Sequence, residues 1–126
     1  MKRDMDLIRY IMISLEEEMN AGSIYIADNI DFTKFSDDIN KNIVNEHLML
    51  LLENEFIDAS FAGSKFSPST FAIKRITNKG HDFIDALRND NIWNKVKEKA
   101  TSVGGSTLSA VYELGKEYVK QELFLK

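Results

Sequence analysis

Cysteine is absent from the 126 residues, which excludes disulfides and thiolate metal sites and fits a reducing compartment. Proline occurs once, at Pro68, and glycine six times, so no stretch has the composition of a linker. No internal repeat and no low-complexity segment interrupts the chain. There is no long apolar run either. Met1, Lys2 and Arg3 are followed at once by Asp4 and Asp6, and the apolar residues beyond are spaced rather than continuous. Neither a secretory signal nor a membrane span is expected, and a cytoplasmic location is. Basic excess is lacking too. Sixteen Lys and Arg stand against 20 Asp and Glu, a formal charge of -4, which argues against a protein built wholly for a polyanion.

What is present is a core. Hydrophobic residues make up 44% of a chain long enough for one domain and short for two. Met5, Ile8, Met12, Leu15 and Met19 recur at steps of three and four, which predicts a helix over residues 3–20. Residues 23–26 suit a short strand. Ile30, Phe32 and Phe35 are expected to turn inward from an irregular stretch. Ser36 suits the N-cap of a second helix running to about residue 54. Its apolar side carries Ile39, Ile43, Val44, His47, Leu48 and Leu51. Its other side carries Lys41, Asn42, Asn45, Glu46 and Glu53.

Residues 56–61 and 70–76 read as two strands, with Gly63, serines, Lys65 and Pro68 among the turn residues between them. Thr77 and Asp90 are expected to cap two further helices, with Phe83, Ile84 and Leu87, then Trp93, Val96, Ala100 and Val103, on their inner faces. Gly104 and Gly105 suit a helix stop and Ser106 a final cap. The last helix would turn Leu108, Val111, Tyr112, Gly115, Tyr118, Val119 and Leu123 to one side. The expected fold is mostly α with a small antiparallel β-hairpin (α+β): a winged helix-turn-helix over residues 1–88, with a C-terminal helical extension over 89–126 packed on it as a single compact unit.

Two resemblances bear on this reading. Val44, His47, Leu48, Leu51, Phe56 and Ile57 fall at the spacing V-x-x-H-L-x-x-L-x-x-x-G-L-I, which resembles the recognition helix and first wing strand of many bacterial winged-helix repressors. Glu55 stands where that pattern has glycine, so Asn54 is expected to take the left-handed conformation instead. Residues 1–9 (MKRDMDLIR), 76–88 (ITNKGHDFIDALR) and 93–97 (WNKVK) are similar to an uncharacterised family of small winged-helix proteins. That family comes mainly from Gram-positive bacteria and their phages and prophages. The resemblance implies the fold and a mobile-element setting, and no activity or functional residues.

Nothing assembles a nucleophile, a base and an oxyanion site, so no enzyme, cofactor or catalytic residue is expected. His47 sits on the apolar side of its helix beside Leu48, and a packed or capping role is expected. His81, in the first turn of the helix after Thr77, is expected to be structural, and neither histidine has further ligands at metal spacing. The three glutamates Glu16, Glu17 and Glu18 read as a solvated face.

The candidates for binding double-stranded DNA are Lys41, Asn42 and Asn45 on the second helix, with Lys65, Lys74 and Arg75 on the wing. Asparagine pairs with adenine, and lysine reaches guanine or phosphate. Charge divides these two elements. Between Ser36 and Phe56 one lysine, Lys41, faces Asp37, Asp38, Glu46, Glu53 and Glu55. From Ile57 to Gly80, Lys65, Lys74, Arg75 and Lys79 face Asp58 alone. An acidic reading helix repels phosphate. A second reading therefore stays open: a module that docks on a host protein, with Met49 and Leu52 exposed. The last helix suits a homodimer seam and a cover for its own core equally well.

Overall fold

A computed structural model of the chain describes residues 1–102 and 107–124. The order is α1 (Met5–Glu18), β1 (Tyr25–Ile26), a 3-10 turn (Ala27–Asn29), α2 (Lys41–Glu53), β2 (Ile57–Gly63), β3 (Pro68–Ile76), α3 (Asn78–Leu87), α4 (Asp90–Ser102) and α5 (Leu108–Phe124). The fold is α+β: five helices and a three-stranded antiparallel sheet in the order β1-β3-β2 among the described residues. The chain divides into two units, Met1–His81 and Asp82–Lys126. No described helix is long and apolar enough to cross a membrane.

In the first unit, α1 starts where Asp4 accepts the Leu7 N–H through Oδ1 at 3.1 Å. Leu7, Ile8, Ile11, Met12 and Leu15 are buried, while Met5 and Met19 at its ends are half-buried. The inner face is thus rotated from the expected one, because Leu7 and Ile11 belong to it. The segment after β1 is held against α1 by aromatic contacts. Tyr10 packs on Phe32 and Phe35 with ring centroids 5.9 and 5.3 Å away, and its hydroxyl donates to the Asp31 carbonyl. Hydrogen bonds from the Thr33 hydroxyl and amide hold the Asp31 carboxyl below the usual carboxylate range.

The N-cap of α2 is Asn40, whose Oδ1 accepts the Asn42 N–H at 2.7 Å, and not Ser36. Ser36 instead accepts the Asp38 N–H in a separate turn. At the other end Glu55 itself takes the left-handed conformation, with φ 63°, while Asn54 stays at φ -86°. The reason is that the Asn54 side chain and main chain are both committed to the helix end: its Nδ2 donates to the Leu50 carbonyl at 2.8 Å and its N–H to the same oxygen at 3.0 Å. The Thr77 hydroxyl donates to the Glu55 carbonyl at 2.6 Å and accepts the Gly80 N–H at 3.0 Å, so one side chain fixes the α2–β2 turn and caps α3.

Pairing in the sheet runs from Ile57 opposite Ile76 to Gly63 opposite Pro68, with irregularities after Asp58 and Phe61. Tyr25 and Ile26 pair with Ile73 and Ala72, making β1 an edge strand. Phe71, Ile73 and Ile76 are buried on one side of β3 together with Phe56 and Ile57.

In the second unit, Phe83, Ile84 and Leu87 are buried as expected, and Ile92 joins Trp93, Val96 and Ala100. Asn89 caps α4 by accepting the Asn91 and Ile92 N–H groups at 2.8 and 3.1 Å, which leaves Asp90 inside the first turn. Val103, Gly104, Gly105 and Ser106 lie outside the described residues, and Thr107 caps α5 through the Ala110 N–H. A Cβ added at Gly115 would come within 2.7 Å of the Leu87 side chain, so this glycine permits close packing of α5 on α3 of the same chain.

Candidate nucleic-acid interface

The second helix holds two buried polar residues, and they organise the first unit. His47 is fully buried, with Nε2 2.8 Å from the Asp4 backbone nitrogen and Nδ1 2.7 Å from the Ile43 carbonyl. A backbone N–H can only donate, so Nε2 accepts and the ring proton sits on Nδ1, where it donates to Ile43. His47 thereby ties the start of α1 to α2, a packed role with no free nitrogen for a metal or a base.

Asn45 was expected on the exposed side and is buried, only 4% accessible. Its Nδ2 donates to the carbonyls of Pro68 and Ser69 at 3.2 and 3.1 Å. The β2–β3 hairpin covers this side of α2, so Asn45 positions the hairpin and its amide hydrogens are already used. Met49 is buried and Leu52 half-buried, in place of the exposed pair expected for docking.

The Asn45 bridge brings two candidate sets to one end of the unit. Lys41 and Asn42, both exposed, lie in the turn of α2 just before Asn45. Lys65 and Phe66 lie just before Pro68, and both are exposed. Lys41 is not a free cation: its Nζ is 3.2 Å from Asp28 Oδ2. Both partners are largely solvated, so the pair contributes little stability and opens easily. Beside it, a cleft of about 240 Å³ is lined by Phe32, Ile39, Val44 and Leu48, with Asp28, Lys41 and Asn45 around it.

Lys74 and Arg75 lie elsewhere. At about 3.3 Å per residue, the strand from Pro68 to Lys74 covers roughly 20 Å. These two exposed cations share a second cleft with Glu16, Met19, Asn20 and His81 at the far end of β3, and Arg75 stands opposite Asp58 across the sheet. Lys65 is thus separated from Lys74 and Arg75, and carboxylates accompany the distant pair.

Residues 2–106 match the family model described as Hypothetical protein (DUF2513). The chain belongs to that family. An uncharacterized protein of Haemophilus influenzae (strain ATCC 51907 / DSM 11121 / KW20 / Rd) is similar to it, with 32% identity over 124 residues. The similarity covers 98% of this chain and 99% of the relative. No solved structure matches the chain. The DUF2513 match takes in α1 through α4, and α5 lies beyond it.

One side chain at the hairpin tip of this DUF2513 protein was not a sequence candidate. Phe66 is 96% exposed at the tip of the hairpin. The signal for it was available: serines, glycine and proline are explained by turn chemistry, and a phenylalanine among them is not. Among the described residues no cluster of three or more His, Asp or Glu is arranged to hold a metal ion.

Proposed function

We propose that the protein is a non-enzymatic winged-helix protein that binds double-stranded DNA through the first turn of α2 and the tip of the β2–β3 hairpin, acting as a regulator within a phage or other mobile element. The observation that carries this reading is the Asn45 bridge to Pro68 and Ser69, which links the α2 first turn to the wing tip. The element order supports it as well: helix, edge strand, helix, then a hairpin whose second strand lies between β1 and β2. On this reading Lys41 and Asn42 address the groove and Lys65 a phosphate. Lys74 and Arg75 reach only DNA that continues along the sheet. Between β1 and α2 the described chain carries a 3-10 turn and no α-helix, so α2 approaches DNA without a full helix leading into it.

A second reading is a docking module for a host protein in the cytoplasm. The apolar cleft beside Asp28 and Lys41 favours it, since Phe32, Ile39, Val44 and Leu48 suit an apolar side chain better than a phosphate. Either activity is compatible with a homodimer through α5, whose Leu123 and Phe124 are exposed.

A gel shift with random duplex DNA over a range of salt tests the first reading. Binding that weakens steeply with salt is expected, and no binding at low salt overturns it. Purification from a native host with and without nuclease separates the two. DNA lost on nuclease treatment supports the first, and a stoichiometric protein that survives it supports the second.

A further inference from the structure

We propose that Phe66 is a wedge that inserts between adjacent base pairs of duplex DNA and kinks it. The inference rests on the DNA reading above and adds what the wing does there. Phe66 is the most exposed large apolar residue described, 96% accessible, and it projects from a hairpin tip where no packing requires it. The tip is held in shape. Gly63 has φ 83°, a conformation that suits glycine, and a Cβ there would come within 2.5 Å of the Ser67 carbonyl oxygen. The Ser67 N–H donates to both the carbonyl and the hydroxyl of Ser64 at 3.1 Å. Asn45 then fixes the base of the tip to α2. A wedge needs this combination: an apolar ring, a firm turn behind it and a rigid element behind the turn.

Charge selects the partner. No aspartate or glutamate occurs between Asp58 and Asp82, a stretch that carries four cations including Lys65 next to the ring. A carboxylate-free arm with a lysine and hydroxyls around one aromatic side chain suits entry among phosphates. Apolar wedges of this kind unstack base steps and bend the duplex toward the major groove. Pyrimidine–purine steps such as TA and CA unstack most easily, so they are the expected points of entry. The rival occupant of the ring is the apolar cleft of a second copy. That cleft carries Lys41 as well as Asp28, so it offers Lys65 no net negative charge.

The test uses the full chain and duplexes carrying 2-aminopurine beside a TA step, with end labels that report bending, and sedimentation without DNA. Wild type at saturation should raise the 2-aminopurine fluorescence and shorten the end-to-end distance. Phe66→Ala should bind with an unchanged salt slope, weaker by roughly tenfold, and lose both signals. Phe66→Leu should keep them, since leucine also serves as a wedge. Lys65→Ala should lower the salt slope by about one and keep both signals at saturation. Circular dichroism verifies that each variant folds. Wild type that binds without unstacking, or Phe66→Ala that unstacks as wild type does, overturns the wedge and leaves the DNA reading standing. Wild type that does not bind duplex at low salt overturns both. A dimer that forms without DNA and is lost in Phe66→Ala overturns the wedge in favour of the second copy's cleft.

Discussion

Asn45 Nδ2 donates to the Pro68 carbonyl at 3.2 Å, from a position one turn inside α2 to the first residue of β3. The donor is buried and shared with Ser69, so its removal leaves two carbonyls short of a partner. Asn45→Ala is expected to destabilise the fold by about 1–3 kcal/mol. Asn45→Asp should cost at least as much, because a carboxylate would face two carbonyl oxygens. Urea denaturation measures both. Hydrogen exchange at the amides of residues 63–67 and 69 should quicken in either variant, and unchanged exchange would show that the bridge does not hold the hairpin.

His47 bonds through both ring nitrogens and is fully buried. His47→Ala leaves a cavity, an unpaired Asp4 N–H and a helix start without its anchor. About 2–4 kcal/mol of stability should be lost. His47→Phe fills the volume but offers no acceptor, so it should recover part of that loss and not all of it. Equal stability of His47→Phe and wild type would show that packing alone matters.

Glu55 occupies the left-handed region at φ 63°, where a side chain is strained. Glu55→Gly relieves that strain while giving the unfolded chain more freedom, so a net gain of roughly 0.5–1 kcal/mol is expected. The melting temperature should rise by roughly 2–6 °C. Calorimetry showing a lower melting temperature would contradict the strain argument. Asn54→Gly should lower stability, because Asn54 keeps a negative φ and its side chain bonds to the Leu50 carbonyl.

The Tyr25 hydroxyl is buried and has no hydrogen-bond partner among the described residues. Burial, reinforced by the negative charge of Glu18, raises this phenol above its ordinary 10.0. A raised folded value means that the folded state holds the proton more tightly than the unfolded chain. The resulting stability is complete below pH 10.0 and is lost as pH rises through the folded value. Tyr25→Phe should be neutral or stabilising at pH 7 and should flatten the decline in stability on the alkaline side. Urea midpoints taken across the alkaline range give both quantities, and a variant that declines as steeply as wild type assigns the slope to other groups.

Much of the architecture was legible because its signals are local. The apolar spacing around Ile8, Met12 and Leu15, the hydroxyl of Thr77 before α3 and the turn residues around Pro68 each act within a few positions. Caps were legible in kind but displaced in place. Ser36 and Asp90 were good candidates, and Asn40 and Asn89 cap instead, since several adjacent polar residues can fill a cap and packing selects among them. The inner face of α1 was off by part of a turn for a similar reason: Leu7 and Ile11 are as apolar as Met5 and Met19, and only the neighbours of the helix decide which are covered.

The binding candidates divide in the same way. Lys41, Asn42 and Lys65 are exposed, as their types suggest. Asn45 is polar on a helix face that the periodicity leaves outward, and the hairpin covers it. Lys65, Lys74 and Arg75 look like one basic group along the chain, yet the strand carries the latter two to the opposite end of the sheet.

The helices, the hairpin, the absence of disulfides and the contrast between an acid-rich second helix and a basic hairpin follow from the sequence, because periodicity, turn chemistry and charge are properties of neighbouring residues. Only packing across the fold sets Asn45 to hold the hairpin, His47 to anchor α1 and Glu55 to bear the left-handed turn, and leaves Phe66 uncovered. Each of these depends on which surfaces meet across tens of residues, and burial there reassigns a polar side chain from solvent to a backbone partner.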